Sequence, residues 1–535
     1  MPIIAGLASN RGRNLMHIQD RQPGGTTLGV VVSNHADAPI IEKAENRGID
    51  TAVVERSPGM ARREHERRIL QVLSDYDLDL VALDGYMRIL SETFLEAAPP
   101  TLNVHPSLLP SFPGDNAHEQ ALDAGVAVSG CTVHLVTDAV AEDGSVIDEH
   151  VDAGPIITQE PVPVYPEDDP ADLKRRVLYE GEFTAYSRAI EMIAAGQVTI
   201  EGDSVTVTED GGAFPHRRFN SADRVRKLRY GENPHQDAAL YADPRSEAAS
   251  VVDADQRNPT GKALSYNNYN DADAALNLIR EFEAPAAAVI KHTNPAGCAV
   301  GDSLSEAYED ALATDAKSAF GGIVALNRPC DEPTATAIVD SFKEAVVAPG
   351  YTDAALDVLT EKDDLRVLDV GEFDGDTLGQ VEKPLVGGRL VQERDLQAPQ
   401  AADLETVTDR EPTEAELESL LFAWQTAKHV KSNAIVLASG TETVGIGMGQ
   451  ASRVDAVDLA TKKAERDAEG KSAAGSVMAS DAFFPFPDGV ELAAEAGVEA
   501  VIQPGGSVND EAVIEAANEH DLAMVFTGTR AFRHD

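Results

Sequence analysis

Along its first hundred residues the chain alternates short apolar runs with charged, amphipathic stretches, and this alternation restricts the fold more than any other feature. IIAGLA (3–8), LGVVVSN (28–34), TAVVE (51–55) and LDLVALDGYMRIL (78–90) have the length and content of strands. Helical spacing runs from Leu15, from Ala38 to Gly48 and, heavily charged, from Arg62 to Tyr76. Strand, helix and strand in this rhythm predict a parallel sheet wound with helices. With 535 residues the chain exceeds what one core holds, and ordinary domain sizes predict about three or four domains.

The loop after the first run, Ser9-Asn10-Arg11-Gly12-Arg13-Asn14, opens a helical stretch, so its backbone N–H groups and the helix dipole suit a phosphate. Such loops are common, and alone this one decides little. Farther on, Asn103 and His105 alternate with Leu102 and Val104, which puts both polar side chains on one face of an extended segment. Asp152 stands just before Gly154-Pro155. An amide, an imidazole and a carboxylate can together hold a carbonyl oxygen, move a proton and orient the ring. A Ser-His-Asp hydrolase would need a G-x-S-x-G elbow, which the sequence lacks. A zinc site is disfavoured as well, because His118-Glu119 and Cys131 to His134 have neither H-E-x-x-H nor C-x-x-C spacing.

A second set of motifs centres on Ala286 to Val300. Its apolar start reads as a buried strand that delivers Lys291 and His292 to its carboxyl end, before Asn294-Pro295, where a turn is expected. Carboxyl ends of strands are where α/β sheets hold ligands. An ammonium beside an imidazole supplies a proton donor and an acceptor. Two polar residues that cap a strand and face water are the plainer reading of this pair alone, and the motifs around it favour chemistry. Leu228 to Gln236 (LRYGENPHQ) and Gly261 to Asn268 precede it. Ser318 to Ile323 (SAFGGI), Lys431-Ser432-Asn433-Ala434, Gly445 to Gln450 with Ser452-Arg453, Ser480 to Phe486, Gln503 to Ser507 and Thr529-Arg530 follow it. The Gly445, Gly447, Gly449 series lacks G-x-G-x-x-G spacing and is not a dinucleotide fingerprint. Between the two sets periodicity fades after Gln197-Val198, which marks 206–222 as a linker.

Residues 1–205 resemble the phosphoribosylglycinamide formyltransferases at Gly12, Asn14-Leu15, Gly85 to Leu90, Asn103 to Pro110, Gly130 with Thr132-Val133-His134, and Asp152 to Ile157. The resemblance implies a doubly wound α/β sheet and transfer of formyl from 10-formyltetrahydrofolate to glycinamide ribonucleotide. It implies that Asn103 and His105 act on the formyl group and that Asp152 orients His105 and a proton-carrying water. Arg88, Ile89 and Leu90 would line the folate pocket, and Gly12, Arg13, Asn14 and Glu182 would hold the ribonucleotide. Glu182 stands one residue farther from Arg176-Val177 than the family pattern has it. Two further departures are Asn10 and Arg13, in place of Gly and Ser in the phosphate loop, and Asn116 in place of His. Asn tolerates a left-handed backbone, so the turn at Asn10 is expected to survive.

Residues 223–535 resemble the aminoimidazole carboxamide ribonucleotide (AICAR) transformylase part of the bifunctional purine enzyme. That resemblance implies two α/β subdomains of the cytidine deaminase type, divided near residue 410, with sites built across a homodimer. Lys291 and His292 would be the catalytic pair, positioned against substrate with Asn433. Arg229, Tyr230, Arg453 and Arg530 would hold the ribonucleotide, with Gly321 and Asp331 shaping its pocket. Phe483 and Phe486 would line the folate pocket, core packing being the plainer reading of two phenylalanines. Pro487 departs from the Arg common there. Motifs of the cyclohydrolase domain are not found, so the whole resembles a fusion of two formyltransferases sharing one donor, with ring closure left to another protein. Neither reaction calls for a metal or redox cofactor, and a monovalent cation is left open. Rival readings are a formyltetrahydrofolate hydrolase or a tRNA formyltransferase in the first part, or one part serving only as a folate- or nucleotide-binding module.

Charge bears on the partners. Asp and Glu number 91 against 44 Lys and Arg, a net charge of −47 spread along the chain, which reads as a solvated acidic surface. Salt screens the self-repulsion of such a surface, so adaptation to a high-salt cytoplasm is expected. The same sign argues against nucleic acid as a partner. Cys131, Cys298 and Cys330 are too scattered for a disulfide framework, and neither a leader nor a membrane-spanning run is read.

Overall fold

The computed structural model describes residues 2–141, 143, 145–208, 212–373 and 379–534. It divides into two compact units, Met1–Arg218 and Phe219–Asp535. Part of the expected linker, 209–211, lies outside the described residues.

Among the described residues of the first unit, the strands are β1 (Ile3–Leu7), β2 (Thr27–Ser33), β3 (Asp50–Val53), β4 (Leu80–Leu83), β5 (Thr101–His105), β6 (Val128–Leu135) and β7 (Ile156–Pro163). They form one sheet in the order β3-β2-β1-β4-β5-β6-β7, parallel through β5 and antiparallel at β6 and β7. The helices are α1 (Arg13–Arg21), α2 (Pro39–Glu45), α3 (Arg62–Leu73), α4 (Glu92–Leu95), α5 (Ala117–Asp123), α6 (Pro170–Arg176) and α7 (Phe183–Ala194). Successive strand residues feed opposite cores. Ile4, Val31 and Leu80 pack with Leu15, Ile18 and Ile190, whereas Ala5, Val30 and Val81 pack with Ile69, Leu73 and Phe94. Helices therefore cover both faces, as the rhythm of the sequence predicts. The run read as a long strand to Leu90 ends at Leu83, because the chain leaves the sheet and turns at Gly85, with φ 60°. Strand order reverses between β1 and β4, and the crevice outside their carboxyl ends is the natural ligand position of such a sheet. Residues 198–207 fold as a hairpin of β8 (Val198–Glu201) and β9 (Ser204–Val207), so β9 takes two residues from the stretch expected to be linker.

The second unit contains β10 (Asp223–Lys227), β11 (Ala239–Ala242), β12 (Asp255–Gln256), α8 (Tyr266–Ile279), β13 (Ala286–Lys291), β14 (Asn294–Val300), α9 (Leu304–Thr314), β15 (Ile323–Leu326), α10 (Glu332–Val339), β16 (Ala345–Ala348), α11 (Asp353–Leu359) and β17 (Arg366–Asp369). It continues with β18 (Gln380–Leu385), β19 (Gly388–Glu393), β20 (Glu405–Thr406), α12 (Glu414–Ala427), β21 (Ile435–Ser439), β22 (Glu442–Gly447), α13 (Arg453–Arg466), β23 (Val477–Ser480), α14 (Asp488–Glu495), β24 (Ala500–Gln503), α15 (Asp510–Glu519) and β25 (Ala523–Phe526). Twelve of these strands make one sheet, ordered β12-β17-β16-β15-β13-β14-β22-β21-β23-β24-β25-β20.

That order is an internal repeat. In each half a hairpin (β13–β14, β21–β22) pairs antiparallel with a third strand (β15, β23), which begins a parallel series closed by a short antiparallel strand (β12, β20). The halves join where Ala299 of β14 meets Glu442 of β22. One shared core under α8 and α12 spans both halves. On the other face each half has its own core, under α9 to α11 and under α13 to α15. The sequence predicts a turn at Asn294-Pro295, but the turn is His292-Thr293, and Asn294 and Pro295 already belong to β14. Pro295 fits there because it faces a register shift at Val289/Ile290, where a missing N–H costs no regular ladder bond.

Candidate active sites

In the first unit, β5 ends at His105, and its pleat sends Asn103 and His105 to one side. His105 Nδ1 lies 3.0 Å from Asp152 Oδ2, and its Nε2 lies 2.9 Å from the Phe112 carbonyl oxygen. Both ring nitrogens thus face acceptors, an arrangement satisfied when both carry protons. Burial opposes the charge, but the hydrogen bond and charge of Asp152 outweigh it and hold the His105 pKa above its ordinary value. Burial likewise opposes the Asp152 carboxylate, yet His105 and the Gly114 N–H, 3.1 Å away, hold its pKa below the ordinary range. Gly154, two residues on, has no room for a side chain, since a Cβ there would lie 1.8 Å from the Leu135 carbonyl oxygen.

His134 completes this group, and sequence reasoning did not assign it a role. It sits directly across from Asn103 in the β5–β6 ladder. Its Nδ1 lies 3.0 Å from the Leu135 carbonyl and must donate there, which leaves Nε2 to accept from Asn103 Nδ2 at 3.2 Å. Burial lowers the His134 pKa, in keeping with this neutral form. The Asn103 amide is thereby fixed, and among the described residues its second N–H has no partner, which leaves it for a substrate oxygen. His134→Ala is expected to lower turnover at this site roughly 10- to 100-fold by releasing Asn103, with KM little changed. His134→Gln, which keeps an acceptor there, is expected to recover part of the loss, and steady-state kinetics of the two variants check this.

Beside this group, the left-handed turn at the start of α1 falls at Gly12 (φ 51°) and not at Asn10, where the sequence predicts it. Asn14 Nδ2 donates to Glu182 Oε2 at 2.7 Å and to Asp84 Oδ1 at 3.1 Å. Glu182 gets there because Val177–Glu182 forms a π-helical turn, which absorbs its extra residue of spacing. Burial pushes the Glu182 pKa up to about 7 and raises that of Asp84. Asp84, also unassigned from sequence, accepts the Asn14 N–H at 2.7 Å and so occupies part of the helix start. Arg88, Ile89 and Leu90 line a cavity of about 200 Å³ with Tyr86, Arg56 and Arg62. Arg62 NH1 and the Tyr86 hydroxyl are buried beside it with no hydrogen-bond partner among the described residues.

In the second unit, antiparallel pairing of β14 with β22 brings the end of β13 to the edge where β21 begins. The Lys431 N–H donates to Asn294 Oδ1 at 2.8 Å across that edge. Lys291 Nζ, half-buried, donates to the Gly321 carbonyl at 2.9 Å, and His292 is exposed. The site therefore lies at the carboxyl end of β13 but at the amino ends of β15 to β17, because β13 runs antiparallel to β15. Asn433 precedes β21 and donates to the Gln450 carbonyl at 3.0 Å. Arg453 holds it from the other side through a 2.8 Å bond to Asn433 Oδ1, and is itself anchored on Asp481 at 2.6 Å. Asn433, Arg453, Phe483, Phe486 and Arg530 line one cavity of about 380 Å³. Phe484 is the core phenylalanine, 1% exposed, while Phe483 and Phe486 are 39% and 60% exposed, so core packing does not account for those two. Arg229 lies over the Tyr230 ring, and their loop touches α8 through Asn267 and the Glu232 carbonyl.

Asp331 does not join this edge. It follows β15, which runs away from Gly321, and its carboxylate caps α10 by accepting the Thr334 N–H at 3.1 Å. The acidic residue beside the glycines is Glu344, whose N–H donates to the Gly322 carbonyl at 3.0 Å and whose carboxylate accepts from Asn268 at 2.6 Å. Its place just before a buried strand was the available signal. Among the described residues no group of three or more His, Cys, Asp or Glu is arranged to hold a metal, and no helix is long and apolar enough to cross a membrane.

A family model described as AICARFT/IMPCHase bienzyme matches residues 174–463, and one described as formyl transferase matches residues 2–190. The bifunctional purine biosynthesis protein PurH of Halalkalibacterium halodurans is 50% identical over 324 residues, 61% of this chain and 62% of that protein. PurH of Persephonella marina is 51% identical over 312 residues, 57% of this chain and 59% of that protein. The chain thus spans about three-fifths of the length of these relatives. Among solved structures, glycinamide ribonucleotide transformylase 1 from Symbiobacterium toebii is 40% identical with a TM-score of 0.35, over 39% of this chain and 94% of that one.

Proposed function

Since the chain belongs to the AICARFT/IMPCHase bienzyme family, we propose that it is a two-site formyltransferase of purine nucleotide synthesis. Residues 1–205 transfer formyl from 10-formyltetrahydrofolate to glycinamide ribonucleotide, and residues 223–535 transfer it to AICAR. The observation that carries this reading is that each unit holds its own proton-moving group: His105 between Asp152 and Phe112, and Lys291 on the Gly321 carbonyl with His292 next to it, at the edge where the Lys431 N–H meets Asn294.

In the first unit the amine nitrogen attacks the formyl carbon, and charge develops on the formyl oxygen. Asn103 donates to that oxygen, as does the His105 imidazolium once its Nε2–H turns from the Phe112 carbonyl to the substrate, and the amine proton passes to the folate nitrogen as its bond to carbon breaks. Gly12, Arg13, Asn14 and Glu182 hold the ribonucleotide, and Arg88, Ile89 and Leu90 hold the folate. The AICAR amine is a poorer nucleophile, because its lone pair is delocalised toward the carboxamide. There His292 accepts the amine proton and Lys291 protonates the leaving folate nitrogen. Asn433 positions the reacting groups, Arg229, Tyr230, Gly321, Arg453 and Arg530 hold the ribonucleotide, and Phe483 and Phe486 hold the folate. The protein works as a homodimer in a salt-rich cytoplasm and needs no metal or redox cofactor, its acidic surface being screened by salt.

The test is formyl transfer to each ribonucleotide separately, with purified protein in molar potassium chloride. Both acceptors should be formylated. Formate release without glycinamide ribonucleotide would make the first unit a hydrolase, and silence on one acceptor would reduce that unit to a binding module.

A further inference from the structure

His292 and Thr293 are the central residues of a two-residue hairpin turn, with Lys291 paired to Asn294 on either side. Both have left-handed φ, 53° and 62°. Such turns favour Asn-Gly, because a left-handed backbone is unfavourable for most side chains and worst for a β-branched one. His-Thr is a poor turn sequence, and such a conformation persists only where its surroundings over-determine it.

Here they do. Asp271, on α8, accepts the Thr293 N–H at 2.8 Å. Arg533, near the end of the chain, donates NH1 to the Thr293 carbonyl at 3.1 Å and to the His429 carbonyl at 2.6 Å. Asn294 Nδ2 adds a 2.9 Å bond to the His292 carbonyl. A carboxylate on the N–H side of the turn and a guanidinium on its carbonyl side make charge-assisted bonds, which are the stronger kind.

The internal repeat provides a comparison within the same chain. The corresponding turn, Gly440-Thr441, joins β21 to β22 between the paired Ser439 and Glu442, and it puts glycine at the left-handed position, with φ 56°. At the place on α12 that matches Asp271 on α8, Ser419 bonds the Ala415 carbonyl of its own helix instead. The half with an easy turn lacks the carboxylate, and the half with Lys291-His292 has it.

We propose that Asp271 and Arg533 are positioning residues that force His292-Thr293 into this turn and so aim the His292 imidazole, next to Lys291, at the acceptor. The inference rests on the transformylase reading of the second unit. It is tested with full-length Asp271→Ala and Arg533→Met, each alone and combined with Thr293→Gly. The readouts are kcat and KM on AICAR, and the ring C–H resonance of His292, assigned by its loss in His292→Ala. Each single variant should lose about tenfold or more in kcat with KM within about twofold, and should shift the resonance. Thr293→Gly, which suits the left-handed conformation, should restore most of both. A general loss of fold would not be repaired by a glycine. An unchanged kcat and resonance in Asp271→Ala, or no recovery with Thr293→Gly, overturns the proposal. If the unaltered protein fails to formylate AICAR, the functional reading falls, and the resonance, which needs no substrate, still decides the clamp.

Discussion

Lys291→Ala should lower turnover on AICAR by about 10²- to 10⁴-fold while transfer to glycinamide ribonucleotide continues. The expected size follows from the step assigned to the ammonium. The folate nitrogen leaves poorly as an anion, and a positioned proton donor removes that charge as the bond breaks. Lys291 Nζ is held 2.9 Å from the Gly321 carbonyl, on the edge that also presents His292 and Asn433, so its place does not depend on bound substrate. Gly321 preserves that approach: its φ is 68°, and a Cβ there would stand 3.2 Å from Nζ. The loss should therefore appear in kcat, with KM for the ribonucleotide within a small factor. A variant that raised only KM would show that Lys291 binds and does not donate. An unchanged KM for AICAR reports that the second unit is folded, and transfer to glycinamide ribonucleotide, the reaction proposed for the other compact unit, serves as the internal standard for active protein.

The two sites differ in how far the sequence exposes them. Asn103 and His105 are visible because a strand's period of two puts them on one face, and Asp152 is marked by the glycine and proline that follow it. His134 and Asp84 are not visible in this way. Each acts across the sheet, and which residue faces Asn103 is set by the register of β5 against β6, not by spacing along the chain. In the second unit the Lys291-His292 pair is legible, but its turn is not, because proline ordinarily marks a break and here an irregular ladder accommodates it. Strand direction decides the choice between Asp331 and Glu344: both are acidic and both flank β15 or β16, yet only Glu344 lies at the edge where β15 begins. The repeat is hidden for a related reason. Its halves share strand order and helix placement, while the residues at matching points, such as His292 and Gly440 or Asp271 and Ser419, differ. Chemistry written in consecutive residues can be read from the chain, whereas chemistry assembled by pairing cannot.

Asp152→Asn should cost transfer to glycinamide ribonucleotide about 10²- to 10⁴-fold in turnover, and its pH profile carries a sign that a loss of structure would not produce. In the intact site the His105 pKa lies above the ordinary 6.5, since the hydrogen bond and charge of Asp152 outweigh burial. The ring keeps its proton to a higher pH than an ordinary imidazole and loses it as pH rises past that raised value. Asparagine is nearly the same shape but brings no charge. Burial, the largest influence on the ring, is then opposed chiefly by the Phe112 carbonyl, and the pKa falls. If the imidazolium is the form that donates to the formyl oxygen, the alkaline limb of kcat must move to lower pH in Asp152→Asn. In His105→Ala the limb should vanish, leaving the low rate that Asn103 and substrate binding sustain. An alkaline limb that stayed in place in Asp152→Asn would mean that the proton-donating group of this site is not His105, and the role would pass to another group on the acceptor side of the cleft.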